Sequence, residues 1–181
     1  METFSSMVTT IRPAVCIALL AAVGTVFSDT GVDPGNRYFW GENTGWCSGF
    51  SDDHGITVFF DGLGGWLAGH AWSENVGWIK LGADGGGPYG NTSAGNWEVN
   101  LTVDGALAGL AWGENIGWIN FDHPDCDASI DVESGNLTGH GWGENVGWLV
   151  MGSTSGDFGL RTVAFDLQAM GTPNWTRSLA N

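Results

Sequence analysis

Four glutamates recur in one setting: Glu42, Glu74, Glu114 and Glu144 each stand two residues after a tryptophan and directly before Asn43, Asn75, Asn115 and Asn145. Two carboxylates about 5 to 10 Å apart across a cleft can cleave a glycosidic bond. Four equivalent glutamates on equivalent turns do not make one such asymmetric site, so a secreted hydrolase is the weakest reading. Turn chemistry accounts for them better. Glu can accept hydrogen bonds from turn amides or an indole N–H, and Asn tolerates the left-handed backbone of tight turns.

The histidines divide into two kinds. His70 and His140 occupy the position that Leu110 fills in another copy of the motif, which argues against metal ligation there. His54 and His123 lie in the acidic stretches Asp52-Asp53-His54 and Asp122-His123-Pro124-Asp125-Cys126-Asp127. The second stretch could hold calcium through its oxygens, but it lacks the ordered spacing of an EF-hand. No nucleophile elbow, P-loop, dinucleotide fingerprint or zinc spacing occurs, and no Ser or Thr has a recognisable base beside it. We therefore expect no catalytic residue and no cofactor, with calcium the one ion left open.

The tryptophans carry the strongest signal. The heptad reads Trp40-Gly-Glu-Asn-Thr-Gly-Trp46, Trp72-Ser-Glu-Asn-Val-Gly-Trp78, Trp112-Gly-Glu-Asn-Ile-Gly-Trp118 and Trp142-Gly-Glu-Asn-Val-Gly-Trp148. Fully exposed, these rings would make an apolar patch of a size soluble monomers avoid. The favoured expectation is that each ring packs on its partner and over neighbouring glycines as a second aromatic layer. The rival is that Trp72, Trp78, Trp112, Trp118, Trp142 and Trp148 form flat platforms for sugar rings.

Elements must position these residues, and the repetition says which. Matches at intervals of 32, 40 and 30 residues mark one supersecondary unit used several times. Extended outward, the copies cover 37–50, 56–82, 99–122 and 128–152. Each complete copy opens with a β-branched or aromatic run. An Asp-Gly or Ser-Gly turn follows, then Leu-x-Gly-x-(Ala/Gly)-Trp, the Glu-Asn turn, and Gly-Trp-(Ile/Leu). That predicts three antiparallel strands per copy. Period-2 alternation puts Leu67 and Ala71, and Ile79 and Leu81, on an aliphatic core face, with Trp72, Trp78, His70 and Lys80 on the other.

Copy one lacks a leading strand, while 160–167 reads as a leading strand with only a degenerate continuation. Pairing the two would close the molecule and remove exposed sheet edges. We expect an all-β, closed fold; an open solenoid-like stack is the alternative. Cys47 takes the core-facing position of Ile79, Ile119 and Leu149, and Cys126 precedes copy four. A Cys47–Cys126 disulfide is a further expectation of closure, since it needs Cα atoms within about 7 Å.

Composition narrows the function. Gly at 31 residues, with 11 Trp and 9 Phe, fits many tight turns and argues against disorder. Five basic against 20 acidic residues, net −15, exclude phosphate-backbone binding and disfavour anionic membranes. Residues 14–27 are continuously apolar after Arg12, too short for a comfortable span of about 20 residues. They read as the core of a signal peptide over 1–28, leaving one β domain over 29–181. Sequons at Asn91, Asn100, Asn136 and Asn174 matter only where exported chains are glycosylated.

The phrase Ala71-Trp-Ser-Glu-Asn-Val-Gly-Trp-Ile79 resembles a tandem AWSxNxGWI-type repeat of uncharacterised exported bacterial proteins. The likeness covers roughly 37–152; copy one departs from it with Phe39 and Cys47. It implies export and a β-rich repeat fold, and it supplies no activity. The expectation is an exported, non-enzymatic protein with a structural or cell-surface role. Its partners would be extracellular glycans or surface proteins, with no nucleic acid and no membrane span once the signal is removed. A carbohydrate-binding module is the runner-up.

Overall fold

The computed structural model describes residues 28–83 and 87–163. Residues 1–27 and 164–181, which hold nearly all of the expected signal segment and the end of the 160–167 strand, lie outside them. No helix occurs among the described residues, and so none that is long and apolar enough to cross a membrane.

Thirteen strands follow in order: β1 (Ser28–Gly41), β2 (Gly45–Ser48), β3 (Thr57–Phe60), β4 (Gly65–Ala68), β5 (His70–Ser73), β6 (Gly77–Lys80) and β7 (Val99–Leu101), then β8 (Leu107–Gly113), β9 (Gly117–Asn120), β10 (Ser129–Ile130), β11 (Leu137–Gly143), β12 (Gly147–Gly152) and β13 (Leu160–Thr162). Each tryptophan heptad is the tip of a hairpin: β1/β2, β5/β6, β8/β9 and β11/β12. Neighbouring hairpins pair through β2–β5, β6–β8 and β9–β11. The ring shuts where Trp40 and Gly41 of β1 face Val150 and Leu149 of β12. The result is a closed eight-strand antiparallel barrel.

The extra strands form a second circuit beyond it. β1, β3, β4, β7 and β8 pair in succession. Isolated bridges at Ala106↔Ser129 and Asn136↔Arg161 carry the circuit through β10 and β11 to β13, and β13 returns to β1 at Val32↔Thr162 and Arg37↔Leu160. The expectation that a late strand completes the first hairpin therefore holds over Leu160–Thr162. Such closure leaves no long open edge for another chain to pair with.

Glycines let the strands pass from one circuit to the other. Gly69, Gly109 and Gly139 have φ of 85°, 87° and 78°, which L side chains rarely adopt. A Cβ there would lie 2.2, 2.3 and 2.2 Å from the carbonyl oxygens of Gly55, Glu98 and Asp127. Only glycine fits both the backbone and the close approach.

Inside, the period-2 reading is met. Leu67, Ala71, Ile79, Leu81, Ile119, Phe121, Leu149 and Leu160 belong to one buried cluster. Each buried aliphatic of this size contributes about 2 kcal/mol. The expected disulfide is corrected: Cys47 and Cys126 are free thiols. Cys47 is wholly buried in the barrel interior. Cys126 sits in the loop between β9 and β10, with its Sγ 3.3 Å from the Asn120 carbonyl. The barrel closes through backbone ladders, and the two sulfurs belong to its inner and outer sides.

Candidate functional site

The hairpin tips come first because they fix everything outside them. Each tip is a tight turn; in the third and fourth, the N–H of Ile116 and Val146 bonds the carbonyl of Gly113 and Gly143, both at 3.2 Å. Gly45, Gly77, Gly117 and Gly147 follow with φ of 66°, 79°, 75° and 74°. The left-handed residue is thus the glycine, as in hairpins that end a turn on a glycine bulge. The asparagines were expected to take that conformation and do not; Asn91 is the only described non-glycine residue with positive φ.

Their side chains do something the sequence did not announce. Asn75 Nδ2 donates to the Thr44 carbonyl at 3.2 Å, Asn115 Nδ2 to Val76 at 3.0 Å, and Asn145 Nδ2 to Ile116 at 3.0 Å. Asn43 Nδ2 completes the cycle by donating to Val146 at 3.0 Å. Every hairpin is tied to the one before it, and the first to the last. The accepting residues Thr44, Val76, Ile116 and Val146 are all buried, so their carbonyls would otherwise lose water without compensation. In the second hairpin Ser73, itself buried, adds a bond from Oγ to the Thr44 carbonyl at 2.8 Å.

The glutamates differ. Glu42, Glu74, Glu114 and Glu144 are exposed. None accepts a turn amide or an indole N–H among the described residues, which corrects the role expected for them. Glu74 and Glu114 instead edge grooves on the outer wall.

That wall carries the tryptophans. The two rings of each heptad are direct cross-strand partners. In the last three hairpins they meet edge to face, with centroids 4.8, 4.7 and 4.9 Å apart. Such a pair contributes about 1 kcal/mol beyond its burial. So in these three hairpins each ring packs on its partner, yet the layer faces solvent: Trp46 is 53% exposed, Trp72 41%, Trp78 39% and Trp148 36%.

Two open grooves run between hairpins on this face. One, of about 580 Å³, lies between the first and second hairpins; its lining includes Arg37, Tyr38, Trp46, Trp72, Glu74 and Trp78. The other, of about 440 Å³, lies between the second and third and is lined by His54, His70, Trp78, Lys80, Trp112 and Glu114. Trp78 belongs to both. His70 stands edge-on to Trp78 at 5.8 Å and to His54 at 6.4 Å.

The equivalent place between the third and fourth hairpins is covered by the chain's own rings. Trp97 lies edge-on to Trp118 at 5.3 Å, and His123 stacks on Trp142 at 5.8 Å. Neither residue was singled out as a ring partner from sequence, because each comes from a loop outside the repeating unit. Phe158, which meets Trp46 edge-on at 5.1 Å, escaped for the same reason.

In the acidic stretch that could hold calcium, one carboxylate already has a partner. Asp127 Oδ1 lies 2.8 Å from His140 Nδ1, and this bond holds the Asp127 carboxyl below the usual carboxylate range. No group of three or more His, Cys, Asp and Glu side chains converges among the described residues. One further carboxylate stands out. Glu98 is 1% exposed beneath the loop between β6 and β7, where it accepts a bond from the Tyr89 N–H. Burial pushes its pKa up. Nothing in the local sequence signals this, since the burial comes from a loop folding back over it.

No family model matches the chain, and no curated protein or solved structure matches it. Functional assignment therefore rests on the sequence and the geometry.

Proposed function

We propose that this protein is an exported, non-enzymatic binding module that meets extracellular glycans or surface proteins through its outer tryptophan face. The observation that carries the reading is the outward, half-exposed placement of paired rings on a closed barrel whose strands leave little room for adjustment. Large aromatic surface held rigid on a scaffold gives contact area at little entropic cost, and tryptophan is enriched where binding energy concentrates. The four motif glutamates sit on four separate hairpin tips, which speaks against one acid–base pair. The apolar N-terminal segment and the AWSxNxGWI-type resemblance support export.

The test is retention of the purified protein on intact cells and on insoluble envelope polymers. Trp72→Ala combined with Trp78→Ala should abolish retention in a variant that circular dichroism shows to be folded. Retention untouched by any tryptophan change would overturn the reading. So would a hydrolytic activity lost on one Glu→Gln exchange and not on the same exchange in the other hairpins.

A further inference from the structure

We propose that the two open grooves form one continuous site for a neutral glycan chain. This rests on the binding-module reading above and names its ligand class. Trp46, Trp72, Trp78 and Trp112 line the two grooves, and Trp78 is shared between them. A chain of pyranose rings presents flat C–H faces to such rings and hydroxyls to the groups between them. A mostly apolar cleft with a few placed polar groups is the usual form of a small-molecule site.

The polar groups are of both kinds. His54, His70, Lys80 and Arg37 can donate, while Glu74 and Glu114 accept. A hydroxyl both donates and accepts, so this mixture suits sugars better than it suits a ligand of one polarity. Arg37 is held in place on its wall: its Nη2 donates to the Tyr38 hydroxyl at 2.8 Å, and its guanidinium lies 5.0 Å from the Tyr38 ring centroid. Tyr38 in turn meets Trp46 edge-on at 6.2 Å.

Charge selects the class of glycan. The whole chain carries −15. The described residues contain three cationic side chains besides histidine: Arg37, Lys80 and Arg161. Arg161 pairs with Asp33 on the other circuit. Arg37 and Lys80 line these grooves, one in each, and the described lining of each groove also includes one glutamate. A face that carries groups of both signs on an acidic molecule fits a neutral polymer. A polyanion would meet the repulsive field of the whole surface, and a cationic ligand would meet Arg37 and Lys80.

The site also predicts which tryptophans matter. Trp78 serves both grooves, whereas Trp142 is already stacked by His123. Affinity electrophoresis and calorimetry should be run on the full chain with soluble neutral polysaccharides (hydroxyethylcellulose, galactomannan, mixed-linkage glucan) beside alginate and polygalacturonate. At least one neutral polymer should bind, its hexasaccharide more tightly than its monosaccharide. Trp78→Ala should weaken that binding about tenfold or more, and Trp142→Ala about twofold or less. Glu114→Gln, an exposed change that leaves folding intact, should also weaken it and guards against a Trp78→Ala variant that fails to fold.

Three results would overturn the inference: binding confined to the anionic polymers, neutral binding indifferent to Trp78, Trp112 and Glu114, or no glycan bound at all. In the last case the cell-retention assay separates the two levels. Tryptophan-dependent retention on cells would leave a surface-protein partner, whereas its absence would remove the binding-module reading as well.

Discussion

The inner and outer sides of the hairpin barrel carry the same four copies of one motif, yet they treat repetition differently. At the tips the copies are alike: four asparagines make four equivalent bonds to carbonyls of four buried residues. On the outer wall the copies diverge. Position 38 is Tyr, and its equivalents are His70, Leu110 and His140; Ser48 corresponds to Lys80, Asn120 and Val150. Two gaps between hairpins stay open and one is covered by Trp97 and His123. The difference teaches that the identity of the asparagines reports closure, because each needs the preceding hairpin in one place. The groups that flank the tryptophans are free of that constraint, and they vary from one hairpin to the next.

The comparison can be broken most forcefully with tryptophan. Trp66, outside the motif, is buried and stacks on Phe59 with centroids 4.9 Å apart and planes 13° from parallel. Trp66→Ala should cost about 3 kcal/mol or more. Trp46→Ala, at the most exposed motif ring, should cost about 1 kcal/mol or less. Chemical denaturation of both variants checks this. Equal losses would mean that the motif rings are part of the core after all.

A smaller contrast lies within one turn. Asn115→Ala should destabilise by about 1 kcal/mol by leaving the buried Val76 carbonyl unpaired. Glu114→Gln, one residue away, should stay within about 0.5 kcal/mol. Asn115→Ala combined with Asn145→Ala should depart from additivity, since the two bonds belong to one cycle. If the glutamate variant melts lower than the asparagine variant, the tips are misassigned.

The smallest expected effect sharpens the comparison through pH. Burial raises the pKa of Glu98, so its contribution to stability is complete below the ordinary Glu value of about 4.3 and is lost as pH rises through the folded value. Asp127, lowered by its bond to His140, acts in the opposite sense: its contribution is present above the ordinary Asp value of about 3.9 and is lost on acidification. Glu98→Gln keeps an acceptor for the Tyr89 N–H without the charge. It should flatten the decline toward neutral pH and leave the acid limb in place, as read from melting temperature between pH 3 and 8. A uniform loss at every pH would assign Glu98 a packing role only.

How far the sequence carried depended on range. Alternation is local, so the buried side of β4, β5 and β6, with Leu67, Ala71 and Ile79, was legible, as was Cys47 at a core position. The need to pair edges made the β13–β1 contact legible too. What failed was contact across copies. The tolerance of Asn for left-handed backbone suggested a backbone role for the asparagines, while the bond they make reaches a carbonyl about 30 to 100 positions away in the chain. The disulfide followed from closure, but closure alone does not say that Cys47 points inward while Cys126 lies on an outer loop. Trp97, His123 and Phe158 reach the outer rings from loops with no repeating pattern, and Glu98 is buried by such a loop.

The central claim is that the first hairpin is tied to the fourth by the same bond that ties the others. Nuclear Overhauser spectra of the folded protein test it directly. The side-chain amide protons of Asn75, Asn115 and Asn145 should show contacts to the protons around Thr44, Val76 and Ile116. Those of Asn43 should show the matching contacts around Val146, accompanied by cross-strand contacts between Trp40 and Val150. The account predicts all four sets together. Three sets with the Asn43–Val146 and Trp40–Val150 contacts missing would describe an open stack and contradict it.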